Sequence, residues 1–402
     1  MEKEIIIMRE ITLAILFLTC LVVSAQDSAL MYNLPPFLPV CPSVVAKGEA
    51  FTAEAKGFDS LFYNPAGFAN GDNSLTFLAA SPWVYTDPLT QILLFNKDMD
   101  SKEIEDILFN EIFSGGYGSG FSGAIGLVKN GLGIGAAFIS DSHISGDKQI
   151  SDVRGEVHMT LGFVLGYAYT FSLSGIEISI GADIKPMARI YVPLSNTLAL
   201  SMLENYTSKD EVSLFELLSE ANALYGLGIG FDSGIIIRFG ALKFGASIMD
   251  IGNTLFYFKS NSLKTIMDSL YNSGIFPPEG TSIKEKYSIP MNISIGAAFN
   301  PDMGSIKSII DPNFYIDFRD ITSLLFDQEN PLFILHIGIE TRLANLFTLY
   351  GGYSKGLFSF GCGISLLFFD ISAAVFTQNL TKNENPKSDF GSVAGLSIKL
   401  NL

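Results

Sequence analysis

VHMTLGFVLGYAYT, residues 157–170, alternates without a break. Val157, Met159, Leu161, Phe163, Leu165, Tyr167 and Tyr169 fall on one face. His158, Thr160, Gly162, Val164, Gly166, Ala168 and Thr170 fall on the other. Successive side chains of a strand point to opposite faces, so this is one large apolar face backed by small and mostly polar groups. A soluble core strand can show such a face once. Here the pattern recurs about a dozen times with an almost charge-free apolar face, which predicts a sheet with lipid on one side and a lumen on the other.

Composition agrees. Of 402 residues, 48% are hydrophobic and 16% charged, against about 25% charged in a typical soluble protein. Beyond the N-terminus no run of about 20 apolar residues exists to form a spanning helix. A closed barrel is then the way to place the chain in a membrane, because lipid cannot satisfy open strand edges. The fold expected is an all-β transmembrane antiparallel barrel of about 14 strands, with an N-terminal plug and short helices in the outer loops. The net charge of −16 argues against nucleic acid as a partner.

Residues 1–25 read as a secretory signal peptide. Arg9 precedes an apolar run, Ile11 to Val23, and small residues lead to a cut near Ala25–Gln26. Met8 is an alternative start. A lipoprotein signal ending at Cys20 fits less well, since Thr19 precedes it. Cys362 shares a face with Phe358, Phe360 and Ile364 and should point to lipid. Cys41, in the N-terminal segment, is not expected to pair with it.

Residues 26–73 carry Pro35-Pro36, Pro39, Pro42 and several glycines with no long alternation, and read as a compact plug or lid. Residues 74–402 should form the barrel. Strand candidates lie at 74–84, 118–128, 131–141, 154–171, 175–191, 223–238, 241–251, 287–299, 312–319, 332–342, 345–353, 357–366, 369–377 and 389–401. Links at 129–130, 172–174, 239–240, 343–344 and 367–368 are short. Those at 85–117, 142–153, 192–222, 252–286, 320–331 and 378–388 are long; in the short set 300–311 is somewhat longer, and Ser354-Lys355-Gly356 breaks the long set. Short turns on one rim and long loops on the other match outer-membrane barrels, and an even strand count puts both termini on the periplasmic side.

The charges fall on the lumen face: Glu177, Asp183, Lys185, Arg189, Asp232, Arg238, Lys243, Asp317, Arg319, Glu340 and Arg342, with His336 among them. Both signs occur, as in an ion-pair network that lines the wall and grips a plug. Inward glycines such as Gly226, Gly228, Gly230 and Gly234 make room for something inside. In the long loops, Leu203, Leu214, Phe215 and Leu218, and then Leu263, Ile266, Met267 and Leu270, recur at helical spacing. They are expected to cover the mouth and to line an apolar groove that collects ligand.

Enzymatic motifs are absent. Gly118 to Gly123 spells G-x-G-x-x-G, but no βαβ unit surrounds it. His143, His158 and His336 lie far apart, and no cluster has metal-ligand spacing, so neither cofactor nor metal is expected.

Ala46-Lys47-Gly48-Glu49-Ala50-Phe51-Thr52-Ala53 and then Tyr63-Asn64-Pro65-Ala66-Gly67 precede this barrel pattern. In that stretch, and in its whole architecture, the chain resembles the long-chain fatty-acid transporter (FadL) family of outer-membrane proteins, and within it a spirochaete branch. The resemblance implies that Asn64, Pro65, Ala66 and Gly67 sit in a hatch plugging the lumen. It implies that loops 192–222 and 252–286 form the first landing site, and that solute leaves after hatch movement, sideways near the third strand. Passive uptake of long-chain fatty acids or similar apolar small molecules from the outer-membrane lipid environment is the function so implied. Arg189, Arg238, Arg319 and Arg342 are the candidates for holding a carboxylate. The alternative is a partner-binding barrel, a surface adhesin or secretion-associated subunit, without transport.

Overall fold

The computed structural model describes residues 31–71, 73–85, 116–146, 154–194, 219, 221–273, 280–326, 331–378 and 389–401. Eighteen strand segments lie among them. They are β1 (Met31–Asn33), β2 (Ser74–Tyr85), β3 (Tyr117–Lys129), β4 (Leu132–Ser145), β5 (Arg154–Leu173), β6 (Ile176–Leu194), β7 (Asn222–Phe239), β8 (Leu242–Met249), β9 (Thr254–Ser262), β10 (Thr281–Ser282), β11 (Lys286–Ile289), β12 (Asn292–Phe299), β13 (Ile310–Phe318), β14 (Leu335–Leu343), β15 (Phe347–Ser354), β16 (Leu357–Leu366), β17 (Phe369–Gln378) and β18 (Asp389–Asn401). From β2 to β8 and from β12 to β18, neighbours in sequence pair antiparallel; β8 pairs with β12, and β18 with β2 to close the ring.

β8 and β9 form one stave, both paired to β7. β10 to β12 form another, giving a closed fourteen-strand barrel. Closure removes the sheet edges that lipid would leave unsatisfied. The sequence reading missed β9, which it placed in the loop 252–286. Asp250-Ile251-Gly252-Asn253 looks like a turn, and Asp250, Gly252 and Asn253 do adopt positive φ (55°, 76° and 66°). Yet Ile251 N donates to Phe231 O, so the chain bulges and rejoins the wall.

The faces follow the alternation. On β5, Phe163, Leu165, Tyr167 and Tyr169 are 47–63% exposed, while Val164 and Ala168 are buried. Phe314, Ile316 and Phe318 face outward on β13, and Ile337 and Ile339 on β14. Cys362 is exposed. No described helix is long and apolar enough to cross a membrane, which says nothing against crossing by strands.

The wall is uneven. β5 has 20 residues. At about 3.3 Å per residue and a tilt of about 40°, a strand of that length stands about 50 Å tall, twice the apolar band of about 25 Å. The eight residues of β15 reach only about 20 Å, short of that band. Near the long-link end of β5–β7, outward Val157, Ile190, Val192, Leu194, Ala223 and Tyr225 are nevertheless buried. The helix α3 (Leu263–Ser273) covers them with Leu263 and Ile266; Met267 and Leu270 pack at the margin. Three shorter α-helices complete the described set: α1 (Pro42–Val45), α2 (Ser60–Tyr63) and α4 (Ile321–Phe326). Thr322 of α4 donates to Met291 O, where β13 has stopped short of β11 and β12.

Candidate functional site

Residues 34–70 meet the inward-facing row of the wall, and their local structure follows from the sequence. Asn64 caps a 3-10 turn, Pro65–Ala69: its Oδ1 accepts from Ala66 N (3.1 Å). Its Nδ2 donates to Thr52 O (2.9 Å) and to Ala246 O on β8 (3.3 Å). Pro65 takes the first helical position, where a missing N–H costs nothing. Gly67 has no room for a side chain; a Cβ there would lie 2.5 Å from Ser60 Cβ and 2.6 Å from Ala55 O. Asn-Pro-Ala-Gly is therefore a cap, a start and a close approach in consecutive positions.

Polar wall residues hold this segment at many points. Lys47 Nζ pairs with Glu340 at 2.8 Å. Phe51, Tyr315 and Tyr350 ring the ammonium at 4.9, 5.0 and 5.9 Å from their centroids. Asp317 accepts from Phe51 N (2.8 Å) and Thr52 N (2.7 Å). Arg319 pairs with Glu49 (2.9 Å), and its guanidinium lies over Tyr63. His336 Nδ1–H donates to Gly48 O (2.6 Å). Lys243 pairs with Glu54, and Arg238 donates to Asn70 Oδ1 as well as to Glu177. Lys185 pairs instead within the wall, with Asp232 (2.7 Å) and Asp250 (3.5 Å). Asp183 lies opposite Asp232 in the β6–β7 register, and among the described residues its buried carboxylate has no hydrogen-bond partner besides Asp232.

Glu54 gives this grip a pH dependence. Burial pushes its carboxyl up, but Lys56 and Lys243 outweigh burial and hold it below the usual carboxylate range. The stabilisation is therefore complete above the unfolded value, and is lost as pH falls through the lower folded one, beginning below about pH 4. Conductance of the protein in planar bilayers should rise in that window, and Glu54→Gln should already conduct more at pH 7. Equal conductance of Glu54→Gln and the unaltered protein at pH 7 would show that this pair does not hold the segment.

At the long-link end the lumen face turns aromatic. Phe256 and Phe258 of β9 stack with centroids 5.6 Å apart, and Tyr287 of β11 meets Phe258 edge-on at 5.3 Å. Tyr191 of β6 lies 6.0 Å from Tyr287. Among these rings sits Arg189, 1% exposed. Its Nε donates to Thr160 Oγ1 (2.7 Å), its Nη1 donates to Pro35 O (2.8 Å), and its guanidinium lies 5.2 Å from the Phe256 centroid.

Of the four arginines named from sequence, Arg238 pairs with Glu177, Arg319 with Glu49, and Arg342 with Glu340 at 3.8 Å. Arg189 has no carboxylate within 4.0 Å among the described residues. Sequence alone could not separate the four, because all alternate inward. It also missed Phe256 and Phe258, whose alternation with Leu255 and Tyr257 was available but was read as loop.

The apolar loop residues divide. Leu203, Leu214, Phe215 and Leu218 lie outside the described residues. Leu263, Ile266, Met267 and Leu270 sit on α3 against the outward side of the wall. A separate cavity of about 510 Å³ lies between the N-terminal segment and the inner wall toward the short-turn end, lined in part by Cys41, Lys56, Asp59, Arg342 and Asp370.

No family model matches the chain, and no curated protein matches it. Solved structures do. The CymD monoaromatic hydrocarbon channel is 10% identical, with 92% of this chain and 99% of that chain covered at a TM-score of 0.50. The toluene transporter TbuX of Ralstonia pickettii is 11% identical, with the same coverage and a TM-score of 0.49. A FadL homologue of Pseudomonas aeruginosa is 11% identical, again with that coverage, at 0.48. At these identities the likeness speaks to architecture, and this chain has a FadL-like barrel fold.

Proposed function

We propose that this protein is an outer-membrane channel for passive uptake of long-chain fatty acids or similar hydrophobic solutes, with residues 26–73 as a hatch across its lumen. One observation carries the reading. A buried guanidinium with no carboxylate within 4.0 Å among the described residues lies among aromatic rings on the lumen face. Asp250 and Glu156 act on the guanidinium from beyond 4.0 Å, so a carboxylate that reaches it would add a direct, charge-assisted pair. Arginine suits a carboxylate through paired, charge-assisted hydrogen bonds. The rings suit an alkyl chain, whose desolvation contributes about 0.8 kcal/mol per buried methylene. Binding by desolvation needs no energy source, so transport is downhill.

The hatch follows from the same contacts. Lys47–Glu340, Glu49–Arg319, Glu54–Lys243 and Asn64–Ala246 tie one segment to the neighbouring staves of β14, β13 and β8.

Purified protein in liposomes should bind a fluorescent long-chain fatty acid saturably. Arg189→Met should weaken that binding about tenfold or more, as loss of a hydrogen-bonded charge does. Binding of the corresponding methyl ester should change far less. No saturable binding at any chain length would sink the transport reading and favour a barrel that only binds partners.

A further inference from the structure

We infer that the chamber takes apolar acids bearing a hydroxyl partway along the chain, which Trp83, Asp141 and His158 bind one strand row beyond Arg189. This rests on the channel reading above and narrows its substrate class.

The strand register sets these residues in one line across the lumen wall. Trp83 on β2 pairs with Gly120 on β3, Gly120 with Asp141 on β4, Asp141 with His158 on β5, and His158 with Tyr191 on β6. Directly opposite residues on one face hold their Cβ atoms about 4.5–5.5 Å apart. Two residues further along the same strands, Thr160 pairs with Arg189, so the two rows lie about 7 Å apart. The line borders the aromatic chamber. The Tyr191 ring stands 6.0 Å from Tyr287, and Trp83 shares one apolar cluster with Phe256 and Phe258.

Trp83, Asp141 and His158 each end in a buried polar atom with no hydrogen-bond partner among the described residues: Nε1, Oδ1 and Nδ1 respectively. Trp83 and His158 are 2% and 6% exposed. Such atoms are few in a folded protein, and three in one line call for a shared partner. The wall is shaped around them. Gly120 gives its side-chain space to the indole, since a Cβ there would lie 2.5 Å from Nε1. Tyr85 donates to the other oxygen, Asp141 Oδ2, at 2.9 Å, which fixes the carboxylate and leaves Oδ1 unmet.

Donor and acceptor types define the partner. The indole only donates, the carboxylate only accepts, and a neutral imidazole nitrogen does either according to its tautomer. A hydroxyl, with one donor and two acceptor lone pairs, can answer all three. A ketone or ester oxygen offers Asp141 no proton, a second carboxylate meets the Asp141 charge, and an ammonium meets that of Arg189 in the adjoining row. An apolar acid held at Arg189 therefore reaches this line with a hydroxyl several carbons from its carboxylate.

Displacement of a fluorescent long-chain fatty acid from the full chain in liposomes tests this. 9-Hydroxystearate should compete about tenfold better than stearate, as hydrogen bonds that include a charged partner provide. 2-Hydroxystearate should compete no better than stearate, because its hydroxyl cannot span the rows while Arg189 holds the carboxylate. The preference for the 9-hydroxy acid should shrink severalfold in Trp83→Phe and in His158→Phe, and vanish in Asp141→Leu. Emission of Trp83, the one tryptophan, should move further to long wavelength with 9-hydroxystearate than with stearate. Equal competition by the two acids in the unaltered protein, or a preference that survives all three variants, would mean that the line holds water and not solute. Either result overturns the inference and leaves the channel reading intact. No saturable binding of any of these acids, with barrel folding verified by heat-modifiable migration, would remove the channel reading and this inference with it.

Discussion

Gly181→Val and Gly245→Val should each make the barrel leakier to small solutes. Both glycines face inward, and both meet backbone of the N-terminal segment rather than a movable side-chain tip. A Cβ on Gly245 would lie 2.6 Å from Ala53 Cα and 2.6 Å from Thr52 O, and one on Gly181 would run into Pro65 O and Ala66 N. Valine favours the strand, so the barrel itself should form. The segment then has to back away, and its ties at Asn64, Asp317 and Glu54 stretch together. Liposome swelling in a small sugar should quicken about tenfold or more, since overpacking against fixed backbone costs about 1–3 kcal/mol. Gly351→Val is the control. There an added Cβ would meet Ile339 Cγ2 at 3.2 Å on the outward side, and swelling should stay at the unaltered rate. Equal swelling in all three would mean that the segment does not seal the lumen.

Leu165→Arg should be the most destabilising single change on the outer surface. Leu165 is 52% exposed near the middle of the expected apolar band. Arginine at such a depth costs about 2–4 kcal/mol, falling to about 0–1 toward the rims. Trp83, the one tryptophan, is buried on the lumen side and reports unfolding directly. Urea denaturation in lipid vesicles, followed by its emission, should show the midpoint drop far more for Leu165→Arg than for Leu165→Ala. Equal drops would mean that this face is not in hydrocarbon.

The period-two alternation of residues 157–170 and its repeats determined the barrel, the strand count and the side on which each charge lies. That information is local: a strand must bury or expose every second residue, and lipid tolerates no charge on its side. Asn64-Pro65-Ala66-Gly67 was legible as a motif for the same reason, since cap, first helical position and close approach are fixed by neighbouring residues. What the alternation did not carry was partnership across the lumen. Arg189, Arg238, Arg319 and Arg342 look alike along the chain, and only the tertiary structure gives three of them carboxylates and leaves the fourth facing a proline carbonyl. Likewise α3 is plainly amphipathic in sequence, but whether its apolar face turns to the mouth or to the outer wall depends on how far β5, β6 and β7 rise above the band. Pairings of that kind join residues as many as 313 positions apart, as Ala46 and Ser359 are, and no local periodicity encodes them.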